Sequence, residues 1–138
     1  MKIPIHTKRR QFLTAIIAAY FTPLLFAKNS SAALQVNHYA ELATKITSTL
    51  ETSFDTAALG RNYLLLFPEE ATITKLVTLI GSQQEEELNS LLKLKSYQLY
   101  QFLQKAQIDD FNKNFTIEVN SWVLSRTEAR LYALTALS

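Results

Sequence analysis

Apolar residues recur at helical spacing along most of the chain after residue 33. The stretch from residue 34 to about residue 52 has a single apolar stripe, which predicts a first helix. Asp55 is expected to be the N-cap of a second helix that runs from Thr56 to Leu66. Gly60 lies inside this second helix, where it costs about 1 kcal/mol relative to alanine. Both segments favour a helical fold.

A third helix is predicted to begin near Pro68. Proline suits the first turn of a helix, because the amide hydrogen that it lacks has no partner there. Glu69 and Glu70 follow at positions where the positive end of the helix dipole favours acidic side chains. Gly81 is the residue expected to follow the last turn of this helix.

The longest predicted helix begins after Gly81 and runs to about Ile108. Ser82 and Glu85 match the capping box that commonly opens a helix. Asp109-Asp110 is interpreted as a break, after which a further apolar stripe predicts a last helix. This stripe contains Phe111, Phe115, Val119, Trp122 and Val123. For residues 125–138, helix and irregular structure both remain open.

Residues 1–33 have the three-part organisation of an export signal. Basic residues precede an apolar stretch from residue 12 to 26, which is too short to span a hydrocarbon core of about 30 Å, and cleavage is expected after residue 32 or 33. Arg9 and Arg10 are followed, after one residue, by Phe12 and Leu13, which matches the twin-arginine consensus. An ordinary secretory signal is the alternative. We expect the protein in the periplasm, or at the periplasmic face of the inner membrane as part of a complex.

The fold class predicted from these patterns is all-α. We expect a small irregular bundle of about four to five helices after a cleavable signal peptide, with residues 1–33 as the signal and residues 34–138 as the helical domain. The 138 residues contain only two glycines and three prolines, which argues against the many tight turns of an all-β fold.

Charge and cysteine content exclude several classes of function. The chain has 14 basic and 12 acidic residues, but five of the basic residues and none of the acidic ones lie in the first 33 positions. The remainder therefore has a net charge of about −3, which argues against a nucleic-acid partner. The chain has no cysteine, which excludes a disulfide, a thiolate nucleophile and a cysteine-ligated cofactor.

The polar residues offer no recognisable catalytic or metal site. His38 is the only histidine outside the leader, and a lone histidine without a ligand partner at helical spacing is more often structural. The acidic runs at residues 85–87 and 109–110 are explained by favourable positions at helix N-termini. No glycine-rich phosphate loop, nucleophile elbow or zinc motif occurs. We therefore predict no catalytic, cofactor-binding or metal-ligating residue, and a chain that is not itself an enzyme.

Two tyrosines of the longest predicted helix are candidates for binding a partner. Tyr97 and Tyr100 lie off or at the margin of its leucine stripe. Tyrosine and tryptophan are favoured at protein–protein interfaces, because they combine a large contact area with a polar group. Partial burial on the flank of the helix is an equally open interpretation.

The leader and three features of residues 34–138 together resemble a known protein family. Phe67-Pro68 follows a leucine-rich helix, Trp122 stands at the centre of the C-terminal segment, and that segment continues to Tyr132-Ala133-Leu134. With the twin-arginine leader, this combination resembles the small subunit of membrane-bound FAD-dependent sugar dehydrogenases of the sorbitol and fructose type. In that family the tryptophan usually begins a Trp-Tyr-x-Gly pattern, whereas here the next residues are Val-Leu-Ser.

The resemblance implies a cofactor-free accessory subunit. Such a subunit binds the large flavoprotein subunit, which holds the FAD, and supports its maturation and its passage through the twin-arginine translocase. A cytochrome c subunit commonly completes the complex. The residues predicted to dock the partner are Tyr97, Tyr100, Trp122, Leu131, Tyr132 and Leu134.

Two other functions remain open at this point. One is a free-standing periplasmic helical protein, either a binding protein or a chaperone. The other is an enzyme that uses His38 together with acidic side chains. The accessory subunit is favoured over both, because an export route for folded cargo on a chain without cofactor ligands is explained by a partner that holds the cofactor.

Overall fold

The structure, a computed structural model, describes residues 29–82 and 87–138, with side chains from residue 33 onward. The leader motif at residues 7–14 and the proposed capping residue Glu85 lie outside the described residues. Residues Val36–Ser138 form one compact unit. No helix in the described part of the chain is long and apolar enough to cross a membrane.

The described chain is mostly helical, as predicted, but it has six helices where about four to five were expected, and it also contains a β-hairpin. The elements are α1 (Asn29–Ser48), α2 (Phe54–Leu66), a 3-10 turn (Pro68–Glu70), α3 (Ile73–Ser82), α4 (Leu88–Lys93), α5 (Ser96–Asn112), β1 (Thr116–Val119), β2 (Trp122–Ser125) and α6 (Arg126–Leu137).

Helices α2 and α6 pack against each other at very short range. A Cβ atom at Gly60 would overlap the carbonyl oxygen of Tyr132 and would come within 2.8 Å of the Ala133 nitrogen. Ala129 and Ala133, on the facing side of α6, are fully buried. Gly60 therefore permits the contact between the two helix backbones, and this packing offsets its low helix propensity.

The core is apolar and draws on nearly every element. Its largest fully buried apolar side chains are Leu42, Ile46, Tyr63, Leu76, Ile80, Leu91, Leu99, Leu103, Val119, Leu131 and Leu134. Burial of each such side chain contributes roughly 1.5–3 kcal/mol, so the packing of α2, α3 and α5 around α6 is the main source of stability.

Several helix termini differ from the prediction. Ser53, not Asp55, is the N-cap of α2, and its Oγ accepts a hydrogen bond from the Thr56 amide at 3.2 Å. Pro68 begins a short 3-10 turn rather than a long helix, and α3 begins only at Ile73, after Thr72 Oγ1 accepts from the Lys75 amide. Residue 81, expected beyond the end of this helix, lies within it, and so does Ser82, the predicted cap of the next helix.

The predicted longest helix is two helices, α4 and α5. The interruption is explained by a tertiary contact, because Lys45 Nζ of α1 donates to the carbonyl oxygens of Leu92, at 2.7 Å, and of Leu94. A lysine at the C-terminal end of a helix also complements the helix dipole. Helix α5 then begins at Ser96, where the side chain of Gln98 accepts from the Lys95 amide at 2.9 Å.

The last helix predicted from the stripe at residues 111–123 is wrong, because Phe111 lies within α5 and the chain from Thr116 to Ser125 forms the antiparallel hairpin β1–β2. In residues 125–138, where helix and irregular structure were both open, the structure has helix α6. Val119 pairs with Trp122 across a two-residue turn. Asn120 and Ser121, the two turn residues, have φ values of 50° and 67°. Positive φ at both central residues matches the turn twist that antiparallel strands require. The alternation Thr116-Ile117-Glu118-Val119 and the Asn-Ser turn are the sequence signals for this hairpin.

Helix α6 is capped from two directions. Ser125 Oγ accepts a hydrogen bond from the Glu128 amide at 2.9 Å. The buried carboxylate of Asp110, near the end of α5, accepts from the Thr127 amide at 2.7 Å. Asp110 thus connects the last turn of α5 to the start of α6. The predicted break at Asp109-Asp110 is wrong, because α5 runs through both residues to Asn112.

Candidate functional site

The predicted docking residues fall into three places in the structure. Tyr97 and Tyr100 lie exposed on α5, while Trp122 and Tyr132 line one pocket. Leu131 and Leu134 are buried in the core, so neither side chain is at the surface where a partner could contact it.

Helix α5 presents an apolar stripe to solvent. Its members, Tyr97, Tyr100, Gln104, Ile108 and Phe111, follow one another at intervals of three or four residues, so they share one face of the helix. We call this set the α5 stripe. The 14 steps from residue 97 to residue 111, at a rise of about 1.5 Å each, give it a length of about 21 Å. The four apolar members are between 45% and 62% exposed.

The α5 stripe is not part of the core-facing side of its helix. That side consists of Leu99, Leu103, Ala106 and Asp110, all buried. Within the stripe, Gln104 Nε2 donates to the Tyr100 hydroxyl oxygen at 2.8 Å and holds the tyrosine along the helix surface. A surface helix normally has one apolar face, toward the core. The α5 stripe is therefore a second, solvent-facing apolar face on this helix.

A pocket of about 490 Å³ opens between the start of α2, the hairpin and α6. We call it the α2–α6 pocket. It is lined by Asp55, Thr56, Ala58, Leu59, Asn120, Trp122, Leu124, Glu128 and Tyr132. Trp122 and Leu124 come from the same strand, and Glu128 and Tyr132 from successive turns of α6. The hairpin thus brings the predicted docking residues Trp122 and Tyr132 to one place.

The pocket walls are aromatic and acidic. Trp122 is 65% exposed, and the Tyr132 hydroxyl donates to Glu128 Oε1 at 2.8 Å. Burial and this hydrogen bond to Glu128 raise the pKa of Tyr132 to about 12, so its hydroxyl stays protonated at neutral pH. Asp55 and Glu128 are the charged residues of the lining, and both are acidic.

A buried cluster of polar side chains lies between the 3-10 turn, α2 and α6. Arg130 donates two hydrogen bonds to the Glu70 carboxylate, each at 3.0 Å. The Tyr63 hydroxyl donates to Glu70 Oε2 at 2.6 Å. Arg126 donates from Nε to the Tyr63 hydroxyl oxygen at 2.8 Å and from Nη2 to Glu70 Oε1 at 3.1 Å. We call these four residues the Glu70 cluster.

Aromatic rings cover the cationic side of the Glu70 cluster. The Arg126 guanidinium carbon is 3.9 Å from the centre of the Phe67 ring. Both arginines also lie within 6 Å of the centre of the Phe115 ring. Such cation–π contacts add on the order of 1 kcal/mol each when they are shielded from water.

The protonation states of the Glu70 cluster are strongly fixed. Burial alone would raise the pKa of Glu70, but the hydrogen bonds from Arg130, Tyr63 and Arg126 outweigh it and lower the pKa to about 2. Burial and the hydrogen bond to Glu70 raise the pKa of Tyr63 to about 12. Neither group exchanges a proton near neutral pH, so the cluster is suited to holding α6 in place and not to acid–base catalysis.

Sequence reasoning missed the role of all four members of the Glu70 cluster. Glu70 had been explained by the helix dipole alone. Arg126 and Arg130 are spaced by four residues in an otherwise largely apolar segment, which places both side chains on one face of α6. Two arginines on the buried face of a helix require an acidic partner, and that spacing was the available signal.

The remaining candidates do not converge on a site. His38 is exposed on α1. Asp110, of the pair Asp109-Asp110, accepts the hydrogen bond that caps α6. Glu85 and Glu86 lie outside the described residues. Within residues 29–82 and 87–138, no group of three or more histidine or acidic side chains is placed to hold a metal ion. Comparison with protein families, with curated proteins and with solved structures finds no significant match to this chain.

Proposed function

We propose that this chain is a non-catalytic small subunit that binds a large FAD-dependent sugar or alcohol dehydrogenase subunit and supports its maturation and twin-arginine export to the periplasm. The observation that carries the proposal is the α5 stripe, an exposed apolar face of about 21 Å that includes both tyrosines predicted to dock a partner. Three of its five members are aromatic, the composition that concentrates binding energy at protein interfaces.

The leader supports the export part of this proposal. Arg9, Arg10, Phe12 and Leu13 match a signal for cargo that crosses the membrane already folded. The buried side chains of Glu70, Arg130 and Tyr63 bond to one another, and the buried Asp110 carboxylate caps α6. In the proposed complex the FAD belongs to the large subunit, which shares the leader of this chain, and a cytochrome c subunit is a further partner.

The docking part is tested by placing charges in the α5 stripe. The chain is co-expressed with a candidate large flavoprotein subunit from the same genome and purified through a tag on the chain. We expect the wild type to co-purify with flavin absorbance and the double variant Tyr100→Glu, Ile108→Glu to lose at least about tenfold in affinity, because each charge must be desolvated at the interface. The matched control, Thr74→Glu with Thr78→Glu, adds the same charge to exposed positions of α3.

Two results would contradict the proposal. One is full flavoprotein binding by a stripe variant that keeps the helical content of the wild type. The other concerns export: with Arg9→Lys and Arg10→Lys, we expect both proteins to accumulate in the cytoplasm. A flavoprotein that still reached the periplasm would show that it does not depend on this leader.

The α2–α6 pocket is the observation that favours the second candidate, a free-standing periplasmic binding protein. Its volume of about 490 Å³ lies in the range of small-molecule sites. This candidate predicts a monomeric protein whose α5 stripe variant behaves like the wild type in every binding measurement. The same co-purification experiment therefore separates the two functions.

A further inference from the structure

The α2–α6 pocket combines two carboxylates with two aromatic rings. Asp55 enters from the first turn of α2 and Glu128 from the first turn of α6. Trp122 and Tyr132 supply the rings. The lining includes no lysine or arginine, so no residue of the wall neutralises the two acids.

The carboxylates of Asp55 and Glu128 can each accept further hydrogen bonds. Glu128 accepts the Tyr132 hydroxyl at Oε1, and its Oε2 has no hydrogen-bond partner among the residues that the structure describes. The Asp55 carboxylate has neither a hydrogen bond nor an ion pair with any part of the described chain. An ionised carboxylate accepts bonds from a cationic donor more strongly than from a neutral one. The pocket is therefore complementary to a cation.

The aromatic rings and the positions of the two acids indicate which kind of cationic group fits the pocket. A guanidinium group is planar, offers five N–H donors and stacks on aromatic faces, whereas an ammonium group is a compact, strongly hydrated point charge. A group that contacts Asp55 and Glu128 on different walls needs donors that point in different directions. Trp122 is the more favourable ring for a cation–π contact. These features favour arginine over lysine.

The surroundings of the pocket favour a protein over a free small molecule. Trp122, on the wall of the pocket, has 65% of its surface exposed. Tryptophan and arginine are among the residues that concentrate binding energy at protein–protein interfaces. A pocket of about 490 Å³ also has room for a side chain together with part of its backbone.

We propose that the α2–α6 pocket receives an arginine side chain of the partner flavoprotein, held between Asp55 and Glu128 and stacked on Trp122. This inference rests on the proposed function for the identity of the partner. The preference for a guanidinium group follows from the pocket alone. The two parts can therefore fail separately.

The preference is measured on the full chain with Trp122, its single tryptophan, as the fluorescent reporter. The probe is the peptide acetyl-Gly-Arg-Gly-amide, and its control is the same peptide with citrulline, which has nearly the same shape without the charge. We expect a saturable fluorescence change with the arginine peptide, with a dissociation constant on the order of millimolar. The citrulline peptide should bind at least about tenfold more weakly, and salt should weaken only the arginine peptide.

Charge-removing variants locate the binding. Asp55→Asn with Glu128→Gln keeps the side-chain shapes and should reduce arginine-peptide affinity at least about tenfold. It should also weaken co-purification of the flavoprotein. The control Glu51→Gln with Glu118→Gln removes two exposed acids outside the lining and should bind as the wild type does. Equal binding of both peptides, or equal binding by both double variants, would overturn the inference.

The chain's own leader is the competing occupant, because it contains Arg9 and Arg10. If the leader filled the pocket, the variant Arg9→Gln, Arg10→Gln would bind the arginine peptide more tightly than the wild type. We expect no difference, and tighter binding would assign the pocket to the leader. If the peptide fails while the flavoprotein still binds, only the pocket inference falls. If the peptide binds and the flavoprotein does not, the proposed function falls.

Discussion

Arg130 donates two parallel hydrogen bonds to the Glu70 carboxylate, from Nε to Oε2 and from Nη2 to Oε1, both at 3.0 Å. Sixty residues separate the two in the sequence, and both are about 5% exposed. This bidentate contact connects the 3-10 turn after α2 to the middle of α6. A buried pair of this kind is costly to break, because removing one partner leaves the other charge uncompensated.

The Glu70 cluster predicts a stability loss at acid pH. The pKa of Glu70 is about 2 in the folded state against an ordinary value of 4.5. Because the folded value is the lower one, the contribution is fully present above pH 4.5 and is lost as the pH falls toward 2. The difference corresponds to about 3 kcal/mol. Urea unfolding of the wild type at a series of pH values measures this loss.

The variant Glu70→Gln isolates that contribution. We expect it to unfold more easily at pH 7 by an amount on the order of 3 kcal/mol, and to lack most of the additional loss between pH 4.5 and 2. Glu69→Gln changes the exposed neighbour and should stay within about 0.5 kcal/mol of the wild type. If the wild type and Glu70→Gln lost the same free energy of unfolding between pH 4.5 and 2, Glu70 would not be the source of the acid sensitivity.

Gly60→Ala is expected to destabilise the protein although alanine is the better helix former. The added methyl group would overlap the Tyr132 carbonyl of α6 and force the two helices apart. Overpacking of this kind costs about 1–3 kcal/mol or more, which exceeds the gain of about 1 kcal/mol in helix propensity. Thermal or urea unfolding measures the difference. Arg61→Ala, at the exposed next position, is the control. A Gly60→Ala variant as stable as the wild type would refute the close packing of α2 and α6.

Ser121→Gly is expected to stabilise the hairpin. Ser121 has φ 67°, a conformation that costs residues with a Cβ atom about 1 kcal/mol and that glycine adopts freely. Asn-Gly is also the preferred pair for this two-residue turn. The greater freedom of glycine in the unfolded chain offsets part of the gain, so we expect about 0.5 kcal/mol in the free energy of unfolding. Ser121→Ala keeps the Cβ atom and should not stabilise; equal effects of both changes would rule out relief of backbone strain.

The spacing of apolar residues within each segment predicted where helices form better than where they begin and end. The helical nature of α1, α2 and much of α5 follows from apolar spacing, which is a property of each segment alone. The interruption between α4 and α5 depends on Lys45, almost 50 residues away, and no local pattern reports such a contact. The hairpin was misread because Val119, Trp122 and Val123 also fit helical spacing when the Asn-Ser turn is overlooked.

The candidate surfaces were predicted in part. The margin position of Tyr97 and Tyr100 on their helix was visible in the sequence, and the structure shows both exposed. Asp55 and Glu128 were not expected together, because the hairpin that brings Trp122 into the same pocket was itself not predicted. The Glu70 cluster joins residues from three elements and could not be derived before their packing was known.

The hydrogen bond from the Thr127 amide to Asp110 has a consequence for recognition. Asp110 directly precedes Phe111 of the α5 stripe, and Thr127 directly precedes Glu128 of the pocket. One buried carboxylate therefore fixes the position of Phe111 relative to Glu128. If both surfaces bind the proposed partner, that partner has to present an apolar group and a cation at this fixed separation, and a surface with only one of them would be rejected.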